Sequence, residues 1–228
     1  MRPALVALAA PALALLLACS DDPAPTPAAD TPATTTARPA SEARTTPAAS
    51  AAAGAASSTP ASDALASTCR PGAALTPAQA EGPYYKAGAP ERTSLIEAGQ
   101  AGTRLLVRGF VLTADCQPLA GARVDVWQTD AAGQYDNAGF RFRGVQRTAA
   151  DGSYHIETVV PGEYPGRTPH IHVKVQAAGS PVLTTQLYFP GIALNAGDGI
   201  FDPALVLRDV QAVATGTSAR FDFIVRAR

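Results

Sequence analysis

Charge of either sign is scarce: 18 Lys and Arg stand against 19 Asp and Glu in 228 residues, with no basic run and no acidic tract. A chain that neutralises a phosphate backbone needs clustered cations, so no nucleic-acid partner is expected. Long apolar runs are missing after the first 18 residues. None approaches the roughly 20 residues of a membrane-spanning helix, which excludes a polytopic membrane protein. The three cysteines include no CxxC pair, which makes a poor zinc or dithiol redox site. Aromatic residues are absent before Tyr84: all fourteen (seven Phe, six Tyr, one Trp) fall between Tyr84 and Phe223, so any core lies there.

Residues 1–68 read as address and tether. Arg2 is followed by an apolar stretch interrupted by Pro11 and ending in Leu16-Leu17-Ala18-Cys19. This resembles a bacterial lipoprotein signal, which implies removal of residues 1–18 and a lipid on Cys19. The domain is then exported to the cell envelope and held to a bacterial membrane, on its periplasmic or outer face, by the lipid alone. From Asp21 to Thr68, 39 of 48 positions are Ala, Thr, Pro or Ser. Such a segment cannot bury enough apolar surface to offset its chain entropy, so residues 19–68 are expected to be a spacer. The remaining 69–228 form one domain of ordinary size. With Cys19 lipidated, Cys69 and Cys116 are one pair in an oxidising compartment, and a disulfide between them is expected.

Within 69–228, short alternating or β-branched runs recur at 104–112, 122–128, 153–159, 170–176, 183–189 and 219–225, between Gly and Pro turns. This pattern predicts an all-β fold, an antiparallel β-sandwich with long connecting loops. Positions 203–214 fit either a short helix or an irregular return. In His170-Ile171-His172-Val173-Lys174-Val175-Gln176 the aliphatic residues share one face and both histidines the other. Two imidazoles a two-residue step apart can converge on one metal ion; the plainer alternative is a pair of surface histidines on a polar strand face.

The neighbouring segments favour the metal. Trp127-Gln128-Thr129-Asp130-Ala131-Ala132-Gly133-Gln134-Tyr135-Asp136 ends a strand in a turn presenting Tyr135. Asp151-Gly152-Ser153-Tyr154 begins a strand that leads to Pro161-Gly162-Glu163-Tyr164-Pro165-Gly166-Arg167-Thr168-Pro169, directly before the histidines, and Thr184-Thr185-Gln186-Leu187-Tyr188-Phe189 follows them. This ordered set, from Thr76 to Val225, resembles the intradiol ring-cleavage dioxygenases, relatives of protocatechuate 3,4-dioxygenase and catechol 1,2-dioxygenase. The resemblance implies one non-haem Fe(III) per domain, held by Tyr135, Tyr164, His170 and His172. It further implies Tyr164 as a base for the substrate, Arg167 as the cation stabilising a charge-shifted ring, and Gln186 near the site. The substrates implied are a catechol and O2, and the product a cis,cis-muconic-type dicarboxylic acid. A hard trivalent cation does favour anionic phenolate oxygen. Tyr84, Tyr85, Tyr154 and Tyr188 are expected to be ordinary half-buried residues.

Two departures from the family accompany the match. Only six positions separate Tyr164 from His170, fewer than in the large-subunit enzymes, so the rim of the pocket and its selection of substrate should differ. The tether stands where catechol 1,2-dioxygenases carry a helical dimerisation region, leaving the oligomeric state open. Two rival readings are a transthyretin-like binding module, to which Gln117–Val124 and Asp151–Tyr154 are similar, and a two-histidine, one-carboxylate Fe(II) enzyme. The first has no use for two tyrosines with HxH. The second would need Glu157, Glu163 or Asp198 as its acid.

Overall fold

The computed structural model describes residues 65–227; the leader, Cys19 and the spacer up to residue 64 lie outside the described residues. The chain runs β1 (Arg104–Leu112), β2 (Arg123–Trp127), β3 (Arg143–Arg147), β4 (Ser153–Val159), β5 (His170–Gln176), β6 (Leu183–Tyr188), short 3-10 turns at Ala193–Gly197 and Pro203–Leu205, β7 (Arg208–Val213), β8 (Gly216–Arg220) and β9 (Phe223–Ile224). One sheet has the order β4-β1-β8-β7 with β9 also on β1, the other β3-β2-β5-β6. The expected β-sandwich is thus observed, with one refinement: β1 pairs antiparallel with β4 but parallel with β8 and β9.

Period-two alternation sets the core. Leu105, Val107 and Val111 of β1 pack in one buried cluster with Val124, Val126, Ile156, Ile171, Val173, Val175 and Leu187. Each such side chain contributes roughly 1.5–3 kcal/mol by leaving water. The other face of β1 presents Phe110 and Leu112, which are covered by Ile224, Leu65, Cys69 and Ala73. Cys69 and Cys116 are disulfide-bonded, fastening this N-terminal segment to the turn after β1. Residues 65–68, read as tether, already touch the domain: Ser67 Oγ and the Thr68 amide donate to Asp222, and Arg220 donates to the Ala66 carbonyl.

Other differences from expectation have local causes. The run 122–128 is a strand only over 123–127, and 183–189 only over 183–188. The run 219–225 is broken between β8 and β9, where Phe221 crosses Gly109 so closely that a Cβ on Gly109 would lie 1.7 Å from the Phe221 carbonyl oxygen. There Asp222 Oδ1, in place of a strand carbonyl, accepts the Phe110 amide at 3.1 Å. Segment 203–214 resolves into a 3-10 turn and β7, an edge strand with every residue exposed. The unanticipated β3 is buried because residues 90–92 cover it, with the Val145 amide on the Pro90 carbonyl and the Arg92 amide on that of Val145.

Candidate metal centre

The second sheet turns Val124, Val126, Ile171, Val173 and Val175 inward and a polar set outward. Its register places Arg143, Trp127, His172 and Gln186 side by side across β3, β2, β5 and β6, with His170 opposite Tyr188 one step on. This outward face is not open to water: His170 and His172 are 3% and 1% exposed. The surface-histidine alternative is therefore wrong. The cover comes from loops, among them the segment carrying Gln79, Ala80 and Tyr84. Thr185 and Gln186 donate to the carbonyls of Pro77 and Ala80, and Arg143 Nη1 donates to that of Tyr84 at 2.6 Å.

Two further loops bring the tyrosines. Asp130 Oδ1 accepts the amides of Ala132 and Gln134, each at 2.9 Å, folding the turn that presents Tyr135. The Gly162 amide donates to the Asp130 carbonyl at 2.8 Å, so the Tyr135 and Tyr164 loops touch backbone to backbone. The glycines make this possible: a Cβ on Gly133 would sit 1.9 Å from the Glu163 carbonyl oxygen, and one on Gly162 would sit 2.4 Å from the Gly133 nitrogen. Arg143, 1% exposed, spends its guanidinium on the carbonyls of Tyr84 and Asp136 and fixes the far side of the Tyr135 loop.

Four rings converge. The Nε2 atoms of His170 and His172 lie 3.1 Å apart. Ring centroids are 5.7 Å apart for Tyr135 and Tyr164, 5.7 Å for Tyr164 and His170, and 6.3 Å for Tyr135 and His172. Trp127 stacks on His172 at 4.7 Å and 6°, and Tyr84 on Tyr135 at 4.3 Å and 17°. His170 Nδ1 is 2.7 Å from the Thr168 carbonyl. That carbonyl accepts, so Nδ1 carries the proton and Nε2 a lone pair. The Tyr135 hydroxyl is buried without a hydrogen-bond partner, an orphan of the kind a ligating oxygen leaves.

Electrostatics point the same way. Burial pushes His170 down to about 4, and burial followed by the neighbouring His170 lowers His172, so both are neutral at pH 7. Burial, then the proximity of Tyr164, raises Tyr135 above the usual phenol range. Tyr135 is thus a neutral phenol unless a cation at the centre draws off its proton. Two imidazole nitrogens and two phenol oxygens suit a hard, highly charged metal. Among the described residues no group of three or more His, Cys, Asp or Glu could hold one. The carboxylate of the Fe(II) alternative is accordingly not assembled: Glu157 lies in the other sheet, Glu163 is exposed, and Asp198 is bound to Arg167.

The structure brings together all six residues singled out for the centre. Arg167 donates from Nη1 to the Tyr164 hydroxyl at 3.3 Å, from Nη2 to Gln186 Oε1 at 2.5 Å and from Nε to Asp198 Oδ2 at 2.9 Å. Gln186 also accepts from the Tyr188 hydroxyl at 3.1 Å while its Nε2 donates to Ala80, so its amide is spent inside the protein. Tyr154 is an ordinary core residue, its hydroxyl on the Phe221 carbonyl at 2.8 Å. Sequence reasoning missed the supports: Trp127 and Tyr84, which stack on ligand candidates, the buried Arg143, and Asp198. For the first three, the single Trp directly ahead of the Tyr135 turn was the one signal available.

Residues 80–226 match the family model described as Dioxygenase. A hydroxyquinol 1,2-dioxygenase of Rhizobium sp. (strain MTP-10005) is 32% identical over 166 residues, 61% of this chain and 56% of that protein. Catechol 1,2-dioxygenase 2 of Acinetobacter lwoffii is 34% identical over 142 residues, 51% and 52% of the two chains. The chain thus spans about half the length of the curated relatives it matches. Among solved structures, the dioxygenase domain of a dioxygenase carbohydrate-binding protein fusion from Streptomyces sp. SirexAA-E is 52% identical, with a TM-score of 0.66 over 68% of this chain and 100% of that one. The 3-chlorocatechol 1,2-dioxygenase of Rhodococcus opacus 1CP is 29% identical, with a TM-score of 0.61 over 66% and 72%. With the family model covering well over half of its length, the chain belongs to the dioxygenase family of intradiol ring-cleaving enzymes.

Proposed function

We propose that this chain is an Fe(III)-dependent intradiol dioxygenase that opens a catechol-type ring with O2 to a cis,cis-muconate-type dicarboxylic acid, and that it works at the cell envelope on a lipid carried by Cys19. The observation that supports the chemistry is the convergence of Tyr135, Tyr164, His170 and His172, with paired Nε2 atoms and an orphaned buried phenol. The printed names of the relatives support the substrate class. The Leu16–Cys19 pattern supports the anchor.

These four residues would hold the iron, which would supply Lewis acidity toward the two catechol oxygens and draw electron density from the ring. The tyrosines divide the remaining labour. Tyr135, whose buried hydroxyl has no other partner, would serve in holding the iron alone. Tyr164 already shares its oxygen with Arg167 Nη1 and is the residue that would take a proton from an incoming catechol hydroxyl. Arg167 holds fixed positive charge beside the ring, in a site shielded from water where such charge acts most strongly. Gln186, with its amide committed, orients Arg167 and does not touch the substrate. Trp127 excludes water from the back of His172 and keeps that ring in plane.

Tyrosine variants test this reading. Tyr135→Phe should fold but lose iron affinity and visible absorption together. Tyr164→Phe should retain part of its iron while turnover falls about 10²–10⁴-fold with the loss of the base. Tyr154→Phe should keep the parent's colour and rate. If Tyr135→Phe and Tyr164→Phe both kept the parent's spectrum and catechol-dependent oxygen uptake, the assignment would be wrong.

A further inference from the structure

The loop from Gly191 to Ile200 is inverted in polarity. Its one buried residue is an acid, Asp198, 7% exposed, while Leu194 and Ile200 are 46% and 41% exposed. A short surface loop that keeps Ile192 against the core but turns Leu194 and Ile200 to water and its carboxylate inward gives up apolar burial and accepts a desolvation cost. The compensation must lie in what the carboxylate reaches.

It reaches three groups from two stretches of chain. Asp198 Oδ2 accepts Arg167 Nε at 2.9 Å and the Thr168 amide at 3.1 Å, and Oδ1 accepts the Ile200 amide at 3.1 Å. Thr168 is the residue whose carbonyl receives His170 Nδ1. Because Pro169 follows, Thr168 is confined to extended backbone, and holding its amide also aims its carbonyl. Its hydroxyl is tied to Asn195 Oδ1 at 2.7 Å, and Asn195 to the Phe189 carbonyl at 2.9 Å, so the loop is anchored at both ends. A cavity of about 410 Å³, bounded by Tyr164, Arg167, Leu194 and Asp198, lies alongside. Without Asp198 the guanidinium has room to swing into that space.

We propose that Asp198 is a positioning residue of this centre, a single carboxylate that fixes both the direction of the Arg167 guanidinium and, through Thr168, the Nδ1-protonated tautomer of His170. The catalytic consequence rests on the ring-cleavage reading above; the geometric one does not. Arg167 is held at Nε by Asp198 and at Nη2 by Gln186, leaving Nη1 directed at Tyr164. When the Tyr164 oxygen moves to take a proton, the two remaining contacts keep the cation where the ring charge develops.

The test uses the full chain with Asp198→Asn and Asp198→Ala. In metal-stripped, ¹⁵N-labelled protein, the parent should show one slowly exchanging Arg167 Nε–H signal and a single His170 tautomer. In both variants the Arg167 signal should be lost to exchange and His170 should populate both tautomers. In iron-loaded protein, kcat with catechol should fall about 10²-fold while KM changes by less than about threefold, since a cation misplaced by an ångström costs that much. Sodium formate, small enough for the vacated carboxylate site, should restore part of kcat in Asp198→Ala and none in Arg167→Ala. If Asp198→Ala does not fold, the near-isosteric Asp198→Asn decides. Parent-like nitrogen signals in that variant, or unchanged kcat, would overturn the proposal. A parent that opens no catechol would instead refute the function, leaving the nitrogen signals to judge the positioning on their own.

Discussion

At the scale of single residues, burial keeps His170, His172 and Tyr135 of the candidate centre uncharged. His170 illustrates the cost. Its ordinary value near 6.5 falls to about 4 on burial, so below pH 6.5 the unfolded chain binds a proton that the folded chain refuses. A group with a depressed folded-state value contributes stability that is complete above 6.5 and is lost as pH falls through 4. For His170 that amounts to about 3 kcal/mol, with His172 acting in the same direction. Denaturant unfolding of the metal-stripped protein between pH 7.5 and 4 should therefore show a steep loss of stability, and His170→Gln should flatten it. An equal slope in parent and variant would contradict the burial argument.

At the scale of elements, legibility followed burial pattern. β5 was readable to the residue because aliphatic and polar positions alternate through all seven; β4 alternates through its first five, and β1 reads instead as an apolar run between turns. β3 was not, since two arginines and a glycine in five residues look like a turn until Pro90 and Arg92 cover them. β7 has no inward face to betray it. The break after β8 has its cause at Gly109 on a distant strand, where no local pattern in 219–225 could reveal it. The site divides the same way. Tyr135, Tyr164, His170 and His172 were legible as spaced motifs, and the pressing together of two loops at Gly133 and Gly162 explains why those motifs contain glycine. Asp198 was visible only as the first acid after the histidines. Its partners Arg167 and Thr168 lie about thirty positions upstream, and folding alone makes them neighbours.

At the scale of the whole molecule, one face of one sheet supplies His170, His172 and Gln186, and loops of the same chain that cover it supply Tyr135, Tyr164 and Arg167. The segment through Gln79, Ala80 and Tyr84 closes over the centre, and the Cys69–Cys116 bond fastens the stretch before it. The proposed anchor at Cys19 is separated from this domain in the sequence by a segment rich in Ala, Thr, Pro and Ser. Cys19→Ser should accordingly abolish incorporation of labelled palmitate while purified protein keeps its turnover; labelling that persists would refute the anchor. In the proposed reaction both atoms of O2 enter a ring opened between its two hydroxyl-bearing carbons. Mass spectrometry of the product formed from catechol under ¹⁸O2 tests it most directly. The product should be a cis,cis-muconic acid carrying two labelled oxygens, one in each carboxyl group. A semialdehyde product, or a dicarboxylic acid containing one labelled oxygen or none, would contradict it.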